Sequence, residues 1–431
     1  MLRLLKESLL LKKKHFAASI ASVATCNQNF QKDVQAQTIS LKKHLHDKIK
    51  TTGPISVADF MLQALTDPDE GYYMKRDMFG EDGDFVTSPE LSQMFGELIA
   101  IWIVNEWLAC GSPTEVQVVE LGPGRGTLME DVIRTFNSLG NTLKNISISI
   151  HLVEISLYLS NLQHKNLCQV NSDKMTSTVE PRLHYTLHGK SKYGQDMFWH
   201  DRIQDVPAKK FTFFIAHEFF DALPVHQFVK DNNIWKEVYV DVCTTSNFPN
   251  FRFVLLPHPT LACRTLIKPN EHRQKIEVSP RSGIIIEEIA RRIAHNGGSA
   301  LIADYGHFGS KEHTLRGFKS HKIVDVLTNV GEADVTADVD FKYLKEIAER
   351  CDVMTCGPIT QQSFLKNMGI DTRIMMLLRN SDSEEMKRKL IGSYDMLVNP
   401  EKMGEKFKFF SMVNKDRLLN NEGKTAVTAF A

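Results

Sequence analysis

Hydrophobic spacing changes period most clearly in the middle of the chain. Val116, Val118, Val119 and Leu121 form a short apolar, β-branched run, which predicts a strand. Gly122, Gly124 and Gly126 follow at alternate positions, and Leu128, Met129, Val132 and Ile133 then recur at helical spacing. Strand, glycine turn and helix make the first unit of a nucleotide-binding α/β fold, because glycine lets the backbone turn sharply beside a ligand without a Cβ. Residues 146–154 alternate, end apolar and close on Glu154, predicting a second strand. A third strand is expected at 183–187 and a buried fourth at 211–216. An amphipathic helix over 282–295 ends at Asn296-Gly297-Gly298 and leads to a fifth strand at 299–306. Strands at 353–357 and 407–413, with helices over 361–380 and 383–397 between them, complete a doubly wound sheet.

Around this core the pattern is less regular. Residues 41–65 read as helical, with Ser56 as an N-cap. Residues 67–90 hold a dense mixture of acids, glycines and Tyr72-Tyr73. Ser88-Pro89-Glu90-Leu91 starts a helix with Pro at its first position, running through Met94, Leu98, Trp102 and Trp107. Its N-terminus could face an anion or carboxylate, which makes Ser88 a candidate cofactor contact. The loop is either a lid or an ordered surface segment. Residues 226–280 read as a β-rich insertion turning at Asp231-Asn232-Asn233. Residues 314–318 and 334–341 read as polar loops. The expected organisation is a leader and linker over 1–38, a helical lid region over 39–112, core segments over 113–225 and 281–415 flanking the insertion, and a flexible tail over 416–431.

Composition narrows the function. The 431 residues include 52 basic and 52 acidic side chains, so net charge offers no general case for nucleic acid or an anionic membrane. No apolar run approaches the roughly 18 residues of a transmembrane helix. The seven cysteines are scattered and read as reduced thiols, and no metal site is expected. A homodimer is compatible with the sequence. Residues 1–29 carry Arg3, Lys6, Lys12, Lys13 and Lys14 against one acid, Glu7. Basic, acid-poor and amphipathic is the mitochondrial transit-peptide pattern; a basic tail on a cytosolic protein is the alternative.

The glycine spacing separates two chemistries. The dinucleotide fingerprint is G-x-G-x-x-G, whereas this chain has Thr127 in place of the last glycine. Glu120-x-Gly122-x-Gly124-x-Gly126 instead resembles motif I of class I S-adenosylmethionine (SAM) methyltransferases. Glu154 then suits the ribose hydroxyls, roughly 20 residues or more past the glycines. Trp199 falls where this fold lines the adenine, or packs the core. After the fourth strand, His217-Glu218-Phe219-Phe220-Asp221 puts two acids in an apolar setting, suited to gripping a cationic nucleophile. The zinc-protease H-E-x-x-H reading fails for want of the second His and because Pro224 stops a helix. Asp304, at the end of the fifth strand, is a reserve acid. A nicotinamide dehydrogenase is disfavoured.

Gly71-Tyr72-Tyr73, Gly83-Asp84-Phe85-x-Thr87-Ser88-Pro89-Glu90, the motif at 120–126, Glu218-Phe219-Phe220-Asp221-Ala222-Leu223-Pro224 and Asp304-Tyr305-Gly306 together resemble the MidA family across about residues 45–415. The resemblance implies a Rossmann-like, seven-stranded class I fold with a helical lid and an inserted substrate-binding region. It also implies a mitochondrial matrix enzyme that forms symmetric dimethylarginine on the iron–sulfur protein 2 subunit of respiratory complex I and assists assembly of that complex. Glu120, Gly122, Gly124, Gly126 and Glu154 would hold SAM. Glu218 and Asp221 would clamp the guanidinium, and His217 would take its proton or serve structurally. Two other readings stay open: a non-catalytic assembly chaperone with a vestigial SAM site, and a small-molecule methyltransferase.

Overall fold

The computed structural model describes residues 40–78, 80, 83–84, 86–169, 186–243, 250–419 and 427–430. Its main sheet is built from β1 (Glu115–Leu121), β2 (Ser147–Val153), β3 (Leu187–Lys190), β4 (Asp196–His200), β5 (Phe211–His217), β6 (Gly298–His307), β7 (Val353–Thr360) and β8 (Phe407–Asn414). The spatial order is β7-β8-β6-β5-β1-β2-β4-β3, and Val339–Asp340 pairs in parallel with β6 off this path, so among the described residues the sheet has nine strands where seven were expected. β1 pairs in parallel with both β2 and β5, β5 with β6, and β2 with β4. β8 runs antiparallel to both β6 and β7. Strand order reverses between β1 and β5, which opens a crevice at their carboxyl ends.

β1, β2, β5, β6 and β8 fall where hydrophobic spacing predicts them, since strands covered on both faces are continuously apolar. The third parallel strand does not. It is β4, not residues 183–187; Leu187 opens the antiparallel edge strand β3, and residues 183–185 lie outside the described residues. Charges on the outer hairpin, such as the Lys190–Asp196 pair at 2.7 Å, dilute the apolar signal, as is usual at an edge.

Helices cover both faces. Gln93–Ala109 and Thr127–Ser138 pack one face with the helices after β7, while Pro280–Asn296 and Phe341–Ala348 pack the other. Gln93–Ala109 is apolar nearly all round because it is buried nearly all round. It does not begin at Ser88. Ser88–Leu91 is a separate turn, capped by a Thr87/Glu90 capping box, and Ser92 in extended conformation caps the longer helix. Likewise Gly53-Pro54 divides residues 41–65 into helices Leu41–Thr52 and Val57–Thr66, as expected for a residue before proline. Ser56 does cap the second, accepting from the Asp59 amide. Gly369 similarly splits the helix expected over 361–380 into Gln361–Asn367 and Ile370–Arg379.

Two further sheets flank the core. His226–Asp231, Ile234–Val242, Phe251–Leu255 and Lys275–Val278 form the β-rich insertion, joined by Ile55–Ser56 from the N-terminal region. Arg316–Lys319, Lys322–Val324 and Asp334–Thr336 form a small sheet, which corrects the loop expectation for 314–318 and 334–341. Asp334, Thr336 and Asp338 are polar but buried. Among the described residues no helix is long and apolar enough to cross a membrane.

The C-terminal segment is also more ordered than a flexible tail in its described parts. Arg417 is 4% exposed, and its guanidinium donates to Glu106 at 3.0 Å, inside the Gln93–Ala109 helix. The Thr428 amide donates to the same Glu106 oxygen at 2.9 Å, and the Trp102 indole donates to the Thr428 carbonyl at 3.1 Å. Arg417→Ala would strand a buried carboxylate. It should destabilise the fold by about 3–5 kcal/mol, read as a lower urea midpoint with an unchanged slope.

Candidate active site

A cavity of about 1540 Å³ opens at the carboxyl ends of β1, β2, β5 and β6. This exceeds the roughly 300–1,000 Å³ of an ordinary ligand pocket, leaving room for two reactants. One wall is the glycine loop. Gly122, Gly124 and Gly126 have φ of +64°, +54° and +83°, the left-handed region that favours glycine. A Cβ on Gly122 would lie 2.9 Å from the Phe219 ring, so the loop and the end of β5 can be this close only with glycine there. Gly122 and Gly124 line the cavity, while Gly126 turns the chain into the Thr127–Ser138 helix.

Two acids face this wall. Glu120 is 2% exposed and its Oε2 has no partner among the described residues; burial pushes its carboxyl up to about 8. A buried acceptor aimed into a cavity without a protein donor is suited to a ligand's polar group. Glu154 closes β2 and accepts from the Ser156 amide at 2.8 Å and the Gln163 amide at 3.2 Å. Burial pushes it up to about 7 despite these donors. Gln163 also donates to the Gly124 carbonyl at 2.7 Å and accepts from the Trp199 indole at 2.9 Å. One amide thus ties the loop, the acid and the tryptophan together.

The opposite wall is acidic. Glu218 has φ +49°, a strained conformation for a non-glycine residue. Its amide donates to the Ala303 carbonyl at 2.9 Å. Asp304, on β6, accepts from the amides of Phe219, Phe220 and Asp221 at 3.1, 3.0 and 3.3 Å through one oxygen, and from Tyr305 at 2.9 Å through the other. This turn directs Glu218 and Asp221 into the cavity. Burial holds both carboxyls above the usual range; the Asp221 charge pushes Glu218 further up, and Tyr305 and Thr336 oppose the rise at Asp221. Asp221 Oδ2 accepts from the Thr336 hydroxyl at 2.8 Å, and its Oδ1 has no partner among the described residues. Asp334 supplies a third acid, hydrogen-bonded by the Tyr73 hydroxyl at 2.7 Å. A cation enters the lining in Arg316, which pairs with Asp338 at 2.6 Å and lies 4.9 Å from the Tyr305 ring centre.

The residues singled out from sequence divide accordingly. Glu120, Gly122, Gly124, Glu154, His217, Glu218 and Asp221 line one cavity. Trp199, Ser88 and Asp304 do not. Trp199 is wholly buried in the core, behind Gln163. Ser88 contributes its backbone amide to Glu218 rather than facing the ligand space. Asp304 spends both oxygens on backbone amides, so it is an anchor and not a reserve clamp. His217 stacks edge-on against Phe95 at 5.0 Å, and burial pushes its imidazole down to about 3, leaving it neutral. That environment favours its structural role. Sequence reasoning gave no role to Tyr73, Gln163, Tyr305, Arg316 or Asp334, although Tyr73 and Tyr305 stand in the motifs that carry the family resemblance.

The 72–91 segment meets the glycine loop through Arg125, whose Nε donates to Asp77 at 2.7 and 2.9 Å and whose NH1 donates to Glu90 at 3.4 Å. Thr87, Pro89 and Leu91 line the cavity, so the end of the segment adjoins the ligand space.

Two outcomes follow from the buried acids. The native carboxyl of Glu120 holds its proton to a higher pH than an unfolded glutamate near 4.3, so native stability falls as pH rises between about 4 and 8. Glu120→Gln should therefore melt several degrees above wild type at about pH 8.5, with the gap closing toward about pH 5, while losing ligand affinity. At Glu154, hydroxyl donors from a bound ribose favour the ionised form. Binding of S-adenosylhomocysteine near pH 7 should release a proton and weaken as pH falls, and Glu154→Gln should abolish the release. Calorimetry in buffers of different ionisation heat measures this.

Comparison with known proteins places the chain among SAM-dependent methyltransferases. Residues 98–359 match the family described as "Putative S-adenosyl-L-methionine-dependent methyltransferase". The chain is 50% identical over 383 residues to a Danio rerio protein named protein arginine methyltransferase NDUFAF7, mitochondrial, covering 89% of each. It is 50% identical over 376 residues to the Homo sapiens protein of that name, covering 87% of this chain and 84% of that one. A Burkholderia thailandensis protein crystallised with S-adenosylhomocysteine superposes with a TM-score of 0.71 at 22% identity, over 91% of this chain and 94% of that one, and shares the fold. The chain belongs to the MidA family of SAM-dependent methyltransferases.

Proposed function

We propose that this protein is a type II protein arginine methyltransferase of the mitochondrial matrix. Its substrate is the iron–sulfur protein 2 subunit of respiratory complex I, its product symmetric dimethylarginine, and its role assistance in assembly of that complex. The observation that carries the arginine reading is the trio of half-buried Glu218 and buried Asp221 and Asp334, three carboxyls lining one cavity with the SAM loop. The names of the relatives support the enzyme class and the mitochondrial location, and the basic, acid-poor residues 1–29 support import.

SAM supplies an activated methyl group on a sulfonium. The chain's own task is alignment and charge. Glu154 holds the ribose, and the glycine loop lies against the methionine part. Glu218 and Asp221 grip the substrate guanidinium, whose charge-assisted hydrogen bonds are strongest when bidentate. Drawing positive charge toward the clamp leaves the attacking nitrogen richer in electrons. A buried acid pair pays heavily for ionising without a cation, so the empty site favours neutral carboxyls and the arriving guanidinium favours carboxylates. Lysine, a compact charge without the planar fork, fits such a clamp poorly.

Glu218→Gln and Asp221→Asn should bind S-adenosylhomocysteine as wild type does and lose about 100-fold or more in methyl transfer. Labelled SAM, the recombinant subunit and mass spectrometry for dimethylarginine read this. Full-rate transfer by either variant would remove the clamp; loss of cofactor binding would move that residue to the cofactor side. A reporter fused behind residues 1–38 should enter mitochondria, and one lacking them should stay outside.

A further inference from the structure

We propose that Asp334 accepts the proton released as the guanidinium is methylated, and that Tyr73 positions it for that task. The inference rests on the arginine-methylating reading of the same cavity. Glu218 and Asp221 are needed as carboxylates throughout, to hold a substrate that keeps its charge. Asp304 is committed to backbone amides. A separate acceptor is required, and Asp334 is the remaining acid of that wall without a salt-bridge partner among the described residues.

Its setting is specific. Asp334 begins the Asp334–Thr336 strand and lies opposite Phe318 in the small sheet. It is 6% exposed yet lines the cavity. The Tyr73 hydroxyl, from the N-terminal region, donates to Oδ1 at 2.7 Å, which restrains the carboxyl. Thr336, two residues on, donates to Asp221, so one short strand serves both acids. The groups facing Asp334 are mostly acidic or neutral. From the N-terminal segment come Tyr72, Tyr73 and Asp84, the last already paired with Arg76 at 2.8 Å. From the turn after β5 come Glu218 and Asp221, and from β6 comes Tyr305. On its own sheet Arg316 is occupied by Asp338. Burial and the Asp221 charge therefore push Asp334 up to about 7, against the pull of Tyr73, where a general base is most effective.

The step balances. The bond between the guanidinium nitrogen and the methyl carbon forms as the methyl–sulfur bond breaks. The sulfonium becomes a neutral thioether, the nitrogen gives one proton to the Asp334 carboxylate, and the methylated guanidinium keeps its single positive charge. Asp334 then returns the proton to solvent after product leaves.

The test is the pH dependence of kcat for the full chain with labelled SAM and the recombinant iron–sulfur protein 2 subunit, both saturating. At saturation the clamp acids are already ionised against the guanidinium, so kcat reports the acceptor. Wild type should show an acid limb, activity rising with pH through a single ionisation. Asp334→Asn should remove that limb and lower kcat about 100-fold, with binding of S-adenosylhomocysteine unchanged. Tyr73→Phe deletes a donor that favours the carboxylate and should shift the limb to higher pH; it decides the matter if Asp334→Asn does not fold. An unmoved limb in either folded variant overturns the inference while leaving the methyltransferase reading intact. No transfer by wild type overturns both.

Discussion

The acceptance of three consecutive backbone amides by one oxygen of Asp304 fixes the rest of the site. Without it, the amides of Phe219, Phe220 and Asp221 would be left without those bonds in a buried turn, at a cost of about 1–3 kcal/mol each. With it, the chain leaving β5 bends at once, Glu218 is held at positive φ, and Asp221 points into the same space. Phe219 is thrown against Gly122, so the turn that aims the acids also packs the cofactor loop. Two adjacent parallel strands, β5 and β6, thereby set the distance between the two halves of the cavity.

That arrangement is costly for folding. Glu120, Glu218, Asp221 and Asp334 are buried or half-buried acids with few or no cationic partners among the described residues, and desolvation raises each of them. A fold selected for stability alone would replace them with apolar side chains. Their retention is understandable where a cationic substrate and a cofactor bring the missing partners. Elsewhere in the molecule buried charge is treated differently: Glu106 meets Arg417 and the Thr428 amide, and Glu97 meets Arg134 and Arg373. The contrast between satisfied and unsatisfied carboxyls separates scaffold from site.

Much of the sheet was legible because strands covered on both faces must be apolar throughout. Val116–Leu121 and Phe211–Ala216 announce themselves, and the glycine run identifies the loop between the first of them and a helix. The glycine loop and the acid ending β2 are legible in local spacing, whereas Ser88 and Trp199 lie outside the cavity. The substrate side is not legible in this way, because it is assembled from residues far apart in sequence. Tyr73 meets Asp334 across 261 positions and Asp221 meets Thr336 across 115. In the sequence, Asp334, Thr336 and Asp338 look like a polar loop. Their burial is bought by pairing with groups no local window contains. Asp304 was misjudged for the related reason that an acid at a strand end can face a ligand or cap a turn, and only the neighbouring strand decides. Trp199 carried the same ambiguity between adenine and core, and the Gln163 hydrogen bond places it in the core.

A crystal structure with bound S-adenosylhomocysteine tests the relation between the two walls most directly. The expected result is a ribose whose hydroxyls donate to Glu154, a homocysteine lying along Gly122–Gly124, and a sulfur atom facing Glu218 and Asp221. Electron density with the sulfur turned away from those acids, or with the nucleoside outside the cavity, would contradict the arrangement on which methyl transfer to a guanidinium depends.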